Sequence, residues 1–190
     1  MKGTTKPKGI GIRTMLFGII AAGLLLLSII VPASAYVYNG QMWENKYANA
    51  YWDSSFPDSW KPSARNAMGA WNNAGADFRF YEVSCQNKLY YTPLGSGSST
   101  LARATWWYTG NYITKATIEF NSDKSWSTSG ESGKFDVQSV ATHEFGHWLS
   151  LGHSSNTDAT MYAYIDPGET KKRTLHSDDI AGIKYIYGSE

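Results

Sequence analysis

The chain has 190 residues, 17 basic and 16 acidic side chains, and a formal net charge of +1. This length is enough to bury the core of one domain, and the absence of a basic patch excludes the nucleic-acid-binding class. Cys85 is the only cysteine, so an internal disulfide is also excluded. A lone cysteine is more often a small buried apolar residue than a regulatory one.

The first 35 residues have the order of a secretory signal peptide. Four basic residues and no acidic one come first, an apolar run over 15–31 follows, and small residues close it at Ala33-Ser34-Ala35. This order predicts a signal peptide over 1–35 with cleavage after Ala35. The alternative is an uncleaved membrane anchor, although the run is at the short end for spanning a bilayer of about 30 Å. The predicted secreted domain, 36–190, keeps 13 basic residues against 16 acidic ones, a net charge of −3.

The first part of that domain is predicted to contain strands on both sides of one helix. Alternating patterns predict strands over 47–52 and 77–83. Between them, a helix is predicted over 57–74, because apolar residues recur at i, i+3, i+4 and i+7. These residues are Ala64, Ala67, Met68 and Trp71. Two later strands, over 100–108 and 112–120, are predicted to form a hairpin around Thr109-Gly110-Asn111.

The second part is predicted to hold two helices separated by an irregular stretch. Asp136 is a good N-cap for a helix that carries the histidine cluster described next. Ser177 is predicted to cap a last helix with an apolar stripe. The stripe consists of Ile180, Ile183, Ile186 and Tyr187. Strands with one helix, followed by helices, indicate an α+β domain.

Three of the four histidines lie within eleven residues of one another. His143 and His147 are four apart, so on a helix they project from one face and can share a metal ion. His153 can be a third ligand only if the chain leaves the helix and turns back. Three nitrogen ligands leave one tetrahedral position open, as in a catalytic zinc site. The alternative is that these are ordinary helix-surface or core histidines that bind no metal. That interpretation suits the isolated His176 better than this cluster.

Glu144 is predicted to lie beside the metal rather than on it. In that position it can act as the general base that takes a proton from water and returns it to a leaving amine. No G-x-S-x-G motif indicates a nucleophilic serine. The cluster therefore predicts one catalytic zinc ion and hydrolysis by an activated water.

With these residues in view, the chain resembles the metzincin clan of zinc peptidases, and within it the matrixins. The clan pattern is H-E-x-x-H-x-x-G-x-x-H followed by a methionine turn. Here His153 is followed by Ser154, as in matrixins, and Met161 is similar to the turn methionine that forms an apolar floor under the metal. The resemblance implies a twisted mixed sheet and two helices in an N-terminal subdomain. A small irregular C-terminal subdomain with a terminal helix would follow.

The resemblance also covers segments around the motif. Residues 135–141 resemble the family's lead-in to the active-site helix, and residues 175–188 resemble its closing helix. Leu101-Ala102-Arg103-Ala104 is similar to the edge strand that binds an extended substrate by β-addition. The primed-side substrate pocket is then expected to depend on the loop between Tyr162 and His176.

Several positions depart from the family pattern. Ser150 replaces the clan glycine at the turn before the third ligand, so either Ser150 carries strain of about 1 kcal/mol or more or the turn shifts to Gly152. Arg103 and Glu119 stand where animal matrixins have ligands of a structural zinc, so no such zinc is expected. A calcium site remains an alternative, with weak support from the side-chain oxygens of Asn121 and Asp123.

Two further residue roles follow from the resemblance. In matrixins an acidic residue of the closing helix can pair with the mature N-terminus, so Asp178 or Asp179 is a candidate partner of Tyr36. The alternative is a carboxylate placed in the first helical turn by the helix dipole. Tyr164 is near the methionine turn, but its spacing favours packing over an oxyanion role.

The sequence therefore predicts a secreted, monomeric zinc endopeptidase of minimal microbial type that acts on extended polypeptides. A membrane is a predicted partner only through residues 1–35, and only if they stay uncleaved. The main alternative is a non-catalytic zinc- or peptide-binding module on the same fold. Retention of Glu144 argues against that module, and Ser150 is the one feature in its favour.

Overall fold

A five-stranded sheet forms one layer of the domain in this computed structural model, which describes residues 35–190. The strands of the domain are β1 (Val37–Tyr38), β2 (Tyr47–Trp52), β3 (Arg79–Glu82), β4 (Lys88–Thr92), β5 (Ala102–Thr109), β6 (Tyr112–Asn121), β7 (Trp126–Ser127), β8 (Phe135–Asp136) and β9 (Leu151–Gly152). The helices are α1 (Lys61–Asn72), α2 (Val137–Trp148) and α3 (Ser177–Tyr187). The predicted signal peptide lies outside the described residues, apart from Ala35. Within residues 35–190, no helix is long and apolar enough to cross a membrane.

The large sheet is mixed, with the order β3-β2-β4-β6-β5. Neighbouring pairs among β3, β2, β4 and β6 run parallel, whereas β5 runs antiparallel to β6 and forms an edge. This confirms the predicted mixed sheet and the hairpin of β5 and β6. The central strand β4 was not predicted, because only Leu89 in it is fully buried and its other residues show no apolar alternation.

Two helices pack against each other and carry the aromatic core. The predicted α1 stripe is buried as expected, although the helix starts at Lys61, after a 3-10 turn over Asp58–Trp60. Trp71 of α1 is fully buried, and its indole N–H donates to the carbonyl of Thr142 in α2 at 2.8 Å. The indole N–H of Trp148 donates to the backbone carbonyl of Thr117 in β6 at 3.1 Å. Because both indoles have a partner, these large rings fill the core without an unpaired N–H.

The start of α2 is set by the predicted N-cap. Asp136 accepts a hydrogen bond from the Ser139 N–H at 2.9 Å. The same fully buried carboxylate receives two hydrogen bonds from Arg173, at 2.6 and 2.9 Å. The pair therefore ties the start of the histidine helix to the loop that precedes α3.

The cap of α3 differs from the prediction by one residue. His176, not Ser177, is the N-cap: its ring accepts from the Asp178 N–H, and its own backbone N–H donates to the Asp179 carboxylate at 2.8 Å. The prediction was wrong because serine is the commoner cap residue, while a neutral imidazole nitrogen can accept the same bond. His176 is thus a helix-end residue, as predicted, and lies apart from the histidine cluster.

Candidate metal centre

The structure brings the three predicted histidines together. His143 and His147 project from one face of α2, and the chain turns back through β9 to place His153 against them. One ligand-type atom from each residue lies within 4.8 Å of the others. The ring centroids are 4.8, 5.2 and 5.0 Å apart. Among residues 35–190, no other group of histidine, cysteine or acidic residues has this arrangement.

Hydrogen bonds orient two of the rings for a metal ion. Nδ1 of His143 lies 2.8 Å from the carbonyl oxygen of Thr160, and Nδ1 of His147 lies 2.7 Å from that of Leu151. A carbonyl can only accept, so each Nδ1 carries the proton and each Nε2 keeps its lone pair. Burial lowers the pKa of His143 well below its usual value and lowers the pKa of His147 to about 4. Neutral imidazoles with inward lone pairs are the donors that zinc prefers.

Ser150 makes the turn that brings in the third histidine. It is fully buried and has a φ of 69°, the left-handed region that glycine adopts most easily. The turn therefore stays at the clan position, and Gly152 instead pairs with Val37 in the two-stranded sheet of β1 and β9. The Ser150 hydroxyl accepts from the Gln41 N–H at 3.3 Å, which partly offsets the strain.

A pair of variants at this turn separates the strain from the hydrogen bond. Both Ser150→Ala and Ser150→Gly lose the hydroxyl, but only alanine keeps a Cβ in the left-handed conformation. We expect the glycine variant to exceed the alanine variant by about 1 kcal/mol in free energy of unfolding. Urea denaturation of the two proteins measures this difference. Equal stability would show that the turn carries no left-handed strain.

Glu144 lies on the helix between the first two histidines and is 6% exposed. Burial raises its pKa to about 7, and the backbone N–H of Ala104 and the charge of Lys172 oppose that rise. A cation held by the histidines would also oppose it, because an opposite charge favours the carboxylate. The side chain thus combines a position beside the cluster with a pKa close to neutral, as a general base requires.

Met161 packs against the helix that carries the first two histidines. Its side chain is fully buried and fills the space over Gly146, where an added Cβ would be 2.2 Å from the Met161 sulfur. The Ser154 N–H, next to the third histidine, donates to the Met161 carbonyl at 2.9 Å. Glycine at 146 is therefore required for the methionine to approach the helix.

The two acidic residues of α3 have different partners. Asp178 accepts from the N–H groups of Ala35 and Tyr36, at 2.8 and 3.1 Å, and from the Ser154 hydroxyl at 2.7 Å. Asp179 is fully buried and accepts from the N–H groups of Thr160 and Met161, at 2.8 and 2.9 Å. Of the two candidates, Asp178 is the one beside Tyr36, while Asp179 supports the methionine turn.

An open cleft of about 720 Å³ contains the histidines and Glu144. Its lining includes residues 100–104, which contain all four residues of the predicted substrate strand, and residues 163–165. Leu101 precedes the edge strand β5, which begins at Ala102. Tyr164 lines the cleft and is 74% exposed, and its ring lies edge-on against the ring of Tyr162, with 5.7 Å between the centroids.

The positions discussed for other metals are engaged in protein contacts. Arg103 and Glu119 are directly opposite each other in β5 and β6, and the guanidinium donates to the carboxylate at 2.9 Å. The side-chain oxygen of Asn121 accepts from two backbone N–H groups, and Asp123 accepts from the Gly95 N–H at 3.1 Å. These oxygens therefore hold the loop over residues 93–100.

Sequence reasoning missed Lys172 as a residue of the cleft. It lies in the run Lys171-Lys172-Arg173, which is typical of a solvated surface, yet its side chain is 2% exposed. Nothing in the spacing of this run separates Lys172 from its neighbours. Cys85 lies outside the cleft; its thiol donates to the Asn87 carbonyl at 3.3 Å, and burial raises its pKa.

Comparison with known proteins gives one family and several relatives. A family model described as Matrixin matches residues 58–188. Metalloendoproteinase 1 of Glycine max is 46% identical over 81 residues, which cover 40% of this chain and 26% of that protein. Metalloendoproteinase 2-MMP of Arabidopsis thaliana is 42% identical over 79 residues, covering 38% of this chain and 21% of that protein. Matrilysin of Homo sapiens is 42% identical over 69 residues, covering 36% and 26%. The matches thus span about a quarter of the relatives' lengths.

Proposed function

The chain belongs to the matrixin family, and from this premise we propose that it is a secreted zinc-dependent endopeptidase. In this proposal His143, His147 and His153 bind the metal, and Glu144 is the catalytic residue. The observation that carries it is the joint geometry of the cluster. Three inward-facing imidazoles lie within reach of one ion, and a buried carboxylate with a pKa near 7 lies beside them.

The proposed chemistry divides between the metal and Glu144. Zinc held by the three histidines would act as a Lewis acid: it would lower the pKa of a bound water toward about 7 and polarise the carbonyl of the substrate. Glu144 accepts a proton from the attacking water and passes it to the amine that leaves when the peptide bond breaks. Met161 packs against Gly146 of the histidine helix and so helps to hold Glu144 and the first two histidines in place.

The edge strand supports a polypeptide as the substrate. The outer side of β5 has no partner strand among the described residues, and its first part borders the cleft. An extended peptide can therefore add to β5 through main-chain hydrogen bonds, with side-chain pockets providing selectivity. This arrangement favours cleavage within a chain, because neither end of the peptide has to enter a closed pocket.

The N-terminal contacts support processing after Ala35. The Tyr36 N–H is 3.1 Å from Asp178, whose other oxygen accepts from Ser154 beside the third histidine. Cleavage after Ala35 would turn that N–H into an ammonium group and make the contact an ion pair. Secretion would thus produce the N-terminus that fits Asp178. The mass of the N-terminal peptide distinguishes this from an uncleaved anchor.

Metal removal tests the proposed function. We expect the purified protein to cleave unfolded casein, to lose that activity when a chelator removes its zinc, and to regain it when one equivalent of zinc is returned. Peptide release and zinc content are measured on the same samples. If the protein binds one zinc yet releases no peptide from casein, it is a zinc- or peptide-binding module on this fold, not a general endopeptidase.

A further inference from the structure

One wall of the cleft contains a buried cation that the proposed reaction does not use. Lys172 lies on a 3-10 turn over Lys171–Arg173, within the loop that leads from the methionine turn to α3. It borders the same cleft as His143 and Glu144. Its ammonium group donates to the carbonyl oxygen of Tyr162 and lies 5.9 Å from the centroid of the Tyr162 ring. The Lys172 ammonium is thus a charged group in the cleft wall with little exposure to solvent.

This ammonium lacks the acidic partner that its neighbours have. Lys171 pairs with Glu169 at 3.0 Å, and Arg173 pairs with Asp136 at 2.6 Å. Within residues 35–190, no carboxylate oxygen lies within 4.0 Å of the Lys172 nitrogen. An ammonium has three N–H donors, and the Tyr162 carbonyl accepts only one of them. Burial of a charge without a partner is costly, so a carboxylate brought by a ligand would be stabilised here.

The charge of Lys172 persists near neutral pH. Burial lowers its pKa to about 8, while the negative charges of Glu169, Asp179 and Glu144 oppose that decrease. In the metal-free protein, most molecules therefore carry the ammonium at pH 7. The cleft that Lys172 lines also contains the apolar side chains of Phe135, Val140 and Ile165, while Arg103, which lines it too, is paired with Glu119. Of the two basic side chains, lysine or arginine, that line the cleft, Lys172 is therefore the one without an acidic partner among residues 35–190.

The position of Glu144 indicates which substrate residue enters this space. Lys172 and Glu144 line the same cleft, and each charge affects the pKa of the other. In the proposed reaction Glu144 passes its proton to the leaving amine, so the cleft beside it receives the residue that supplies that amine. This is the residue directly after the cleaved bond, P1′. Its side chain would extend between Val140 and the loop that carries Lys172.

We propose that Lys172 is a specificity-determining residue that selects substrates with an acidic side chain at P1′; this rests on the proposed peptidase function. The alternative role for Lys172 is structural, since its bond to Tyr162 also holds the loop. A purely structural role would affect all substrates to the same degree. A selective role changes the ratio between an acidic and a neutral side chain of the same shape.

The experiment compares four peptides that differ only at P1′: glutamate, glutamine, leucine and lysine. For the wild-type protein we expect kcat/KM to be about tenfold or more higher for glutamate than for glutamine, as for a charge-assisted hydrogen bond. In Lys172→Met this ratio should fall to about one, while the leucine peptide is still cleaved. Lys172→Arg should keep the preference. Lys171→Met is the matched control: its ammonium is on the same turn, paired at the surface, and the ratio should stay at the wild-type value.

Binding provides a second measurement that needs no turnover. The product after cleavage begins with the P1′ residue, so calorimetry with product peptides beginning with glutamate or glutamine probes the same pocket. The wild type should bind the glutamate product about tenfold or more tightly. A ratio near one in the wild type, or an unchanged ratio in Lys172→Met, would overturn the assignment. If no peptide is cleaved while the glutamate product still binds better, the peptidase function fails and the pocket assignment stands.

Discussion

Replacing Glu144 with glutamine is expected to lower kcat by about 10²–10⁴-fold, while the zinc content stays that of the wild type. Glutamine has the same shape and can fill the same buried space, but its amide cannot accept the proton from water or return it to the amine. The measurement is kcat on a peptide cleaved by the wild type, with zinc determined on the same protein. Activity within tenfold of the wild type, at equal zinc content, would exclude Glu144 as the general base.

A matched variant controls for the chemical change itself. Glu131→Gln makes the same substitution in the loop before β8, where the exposed carboxylate pairs with Lys134 and does not line the cleft. We expect its kcat to stay within about twofold, because a surface ion pair contributes little to the fold. The acid side of the pH–rate profile adds a second criterion. Since Glu144 must be ionised to accept a proton, the wild-type rate should fall as pH decreases through its pKa, and Glu144→Gln should lose this dependence.

The Asp179→Asn variant is expected to lose about 3 kcal/mol or more of its free energy of unfolding. Three backbone N–H groups, from Thr160, Met161 and His176, point at this fully buried carboxylate from 2.8–2.9 Å. A hydrogen bond to a charged group contributes about 1.5–3 kcal/mol. Asparagine offers one acceptor oxygen, and its NH₂ group faces donors that it cannot satisfy. Urea or thermal denaturation measures the loss.

The same experiment has an internal comparison on the surface. Asp77→Asn removes a carboxylate whose side chain is 56% exposed and pairs with Lys46. Its effect should remain within about 1 kcal/mol. Asp179 fixes the backbone of Met161, which packs against the histidine helix, so Asp179→Asn should also weaken zinc binding, measured by competition with a chromogenic chelator. If Asp179→Asn keeps wild-type stability and zinc affinity, the carboxylate does not support the turn.

The parts of the site that the sequence predicts correctly depend on short spacings. His143 and His147 share a face because they are four residues apart on a helix, and Asp136 caps that helix one residue before it begins. Such relations are local and follow from helix geometry alone. The general α+β architecture also follows, because the stripe of α1 and the hairpin of β5 and β6 have clear periodicities.

The remaining features depend on where distant segments meet. Asp178 and Asp179 are adjacent, so on a helix they point about 100° apart; only the rotation of α3 decides which one contacts Tyr36 and which one holds the methionine turn. In the sequence, Lys172 has the same pattern as its charged neighbours. Only the fold of the loop buries it against Tyr162. The strand β4 became recognisable only through its pairing with β2 and β6.

The open edge strand has a consequence for the protein at high concentration. Any unpaired strand that accepts a substrate peptide can also accept the edge of a second molecule, which is a common route to aggregation. In β5 the pairing shifts register between Trp107 and Tyr108, and Arg103 places a charge on the first part of the strand. Irregular pairing and charge both disfavour sheet growth from one molecule to the next. The irregular later part of β5 therefore opposes growth of the sheet from one molecule to the next, while its first residues keep a regular edge.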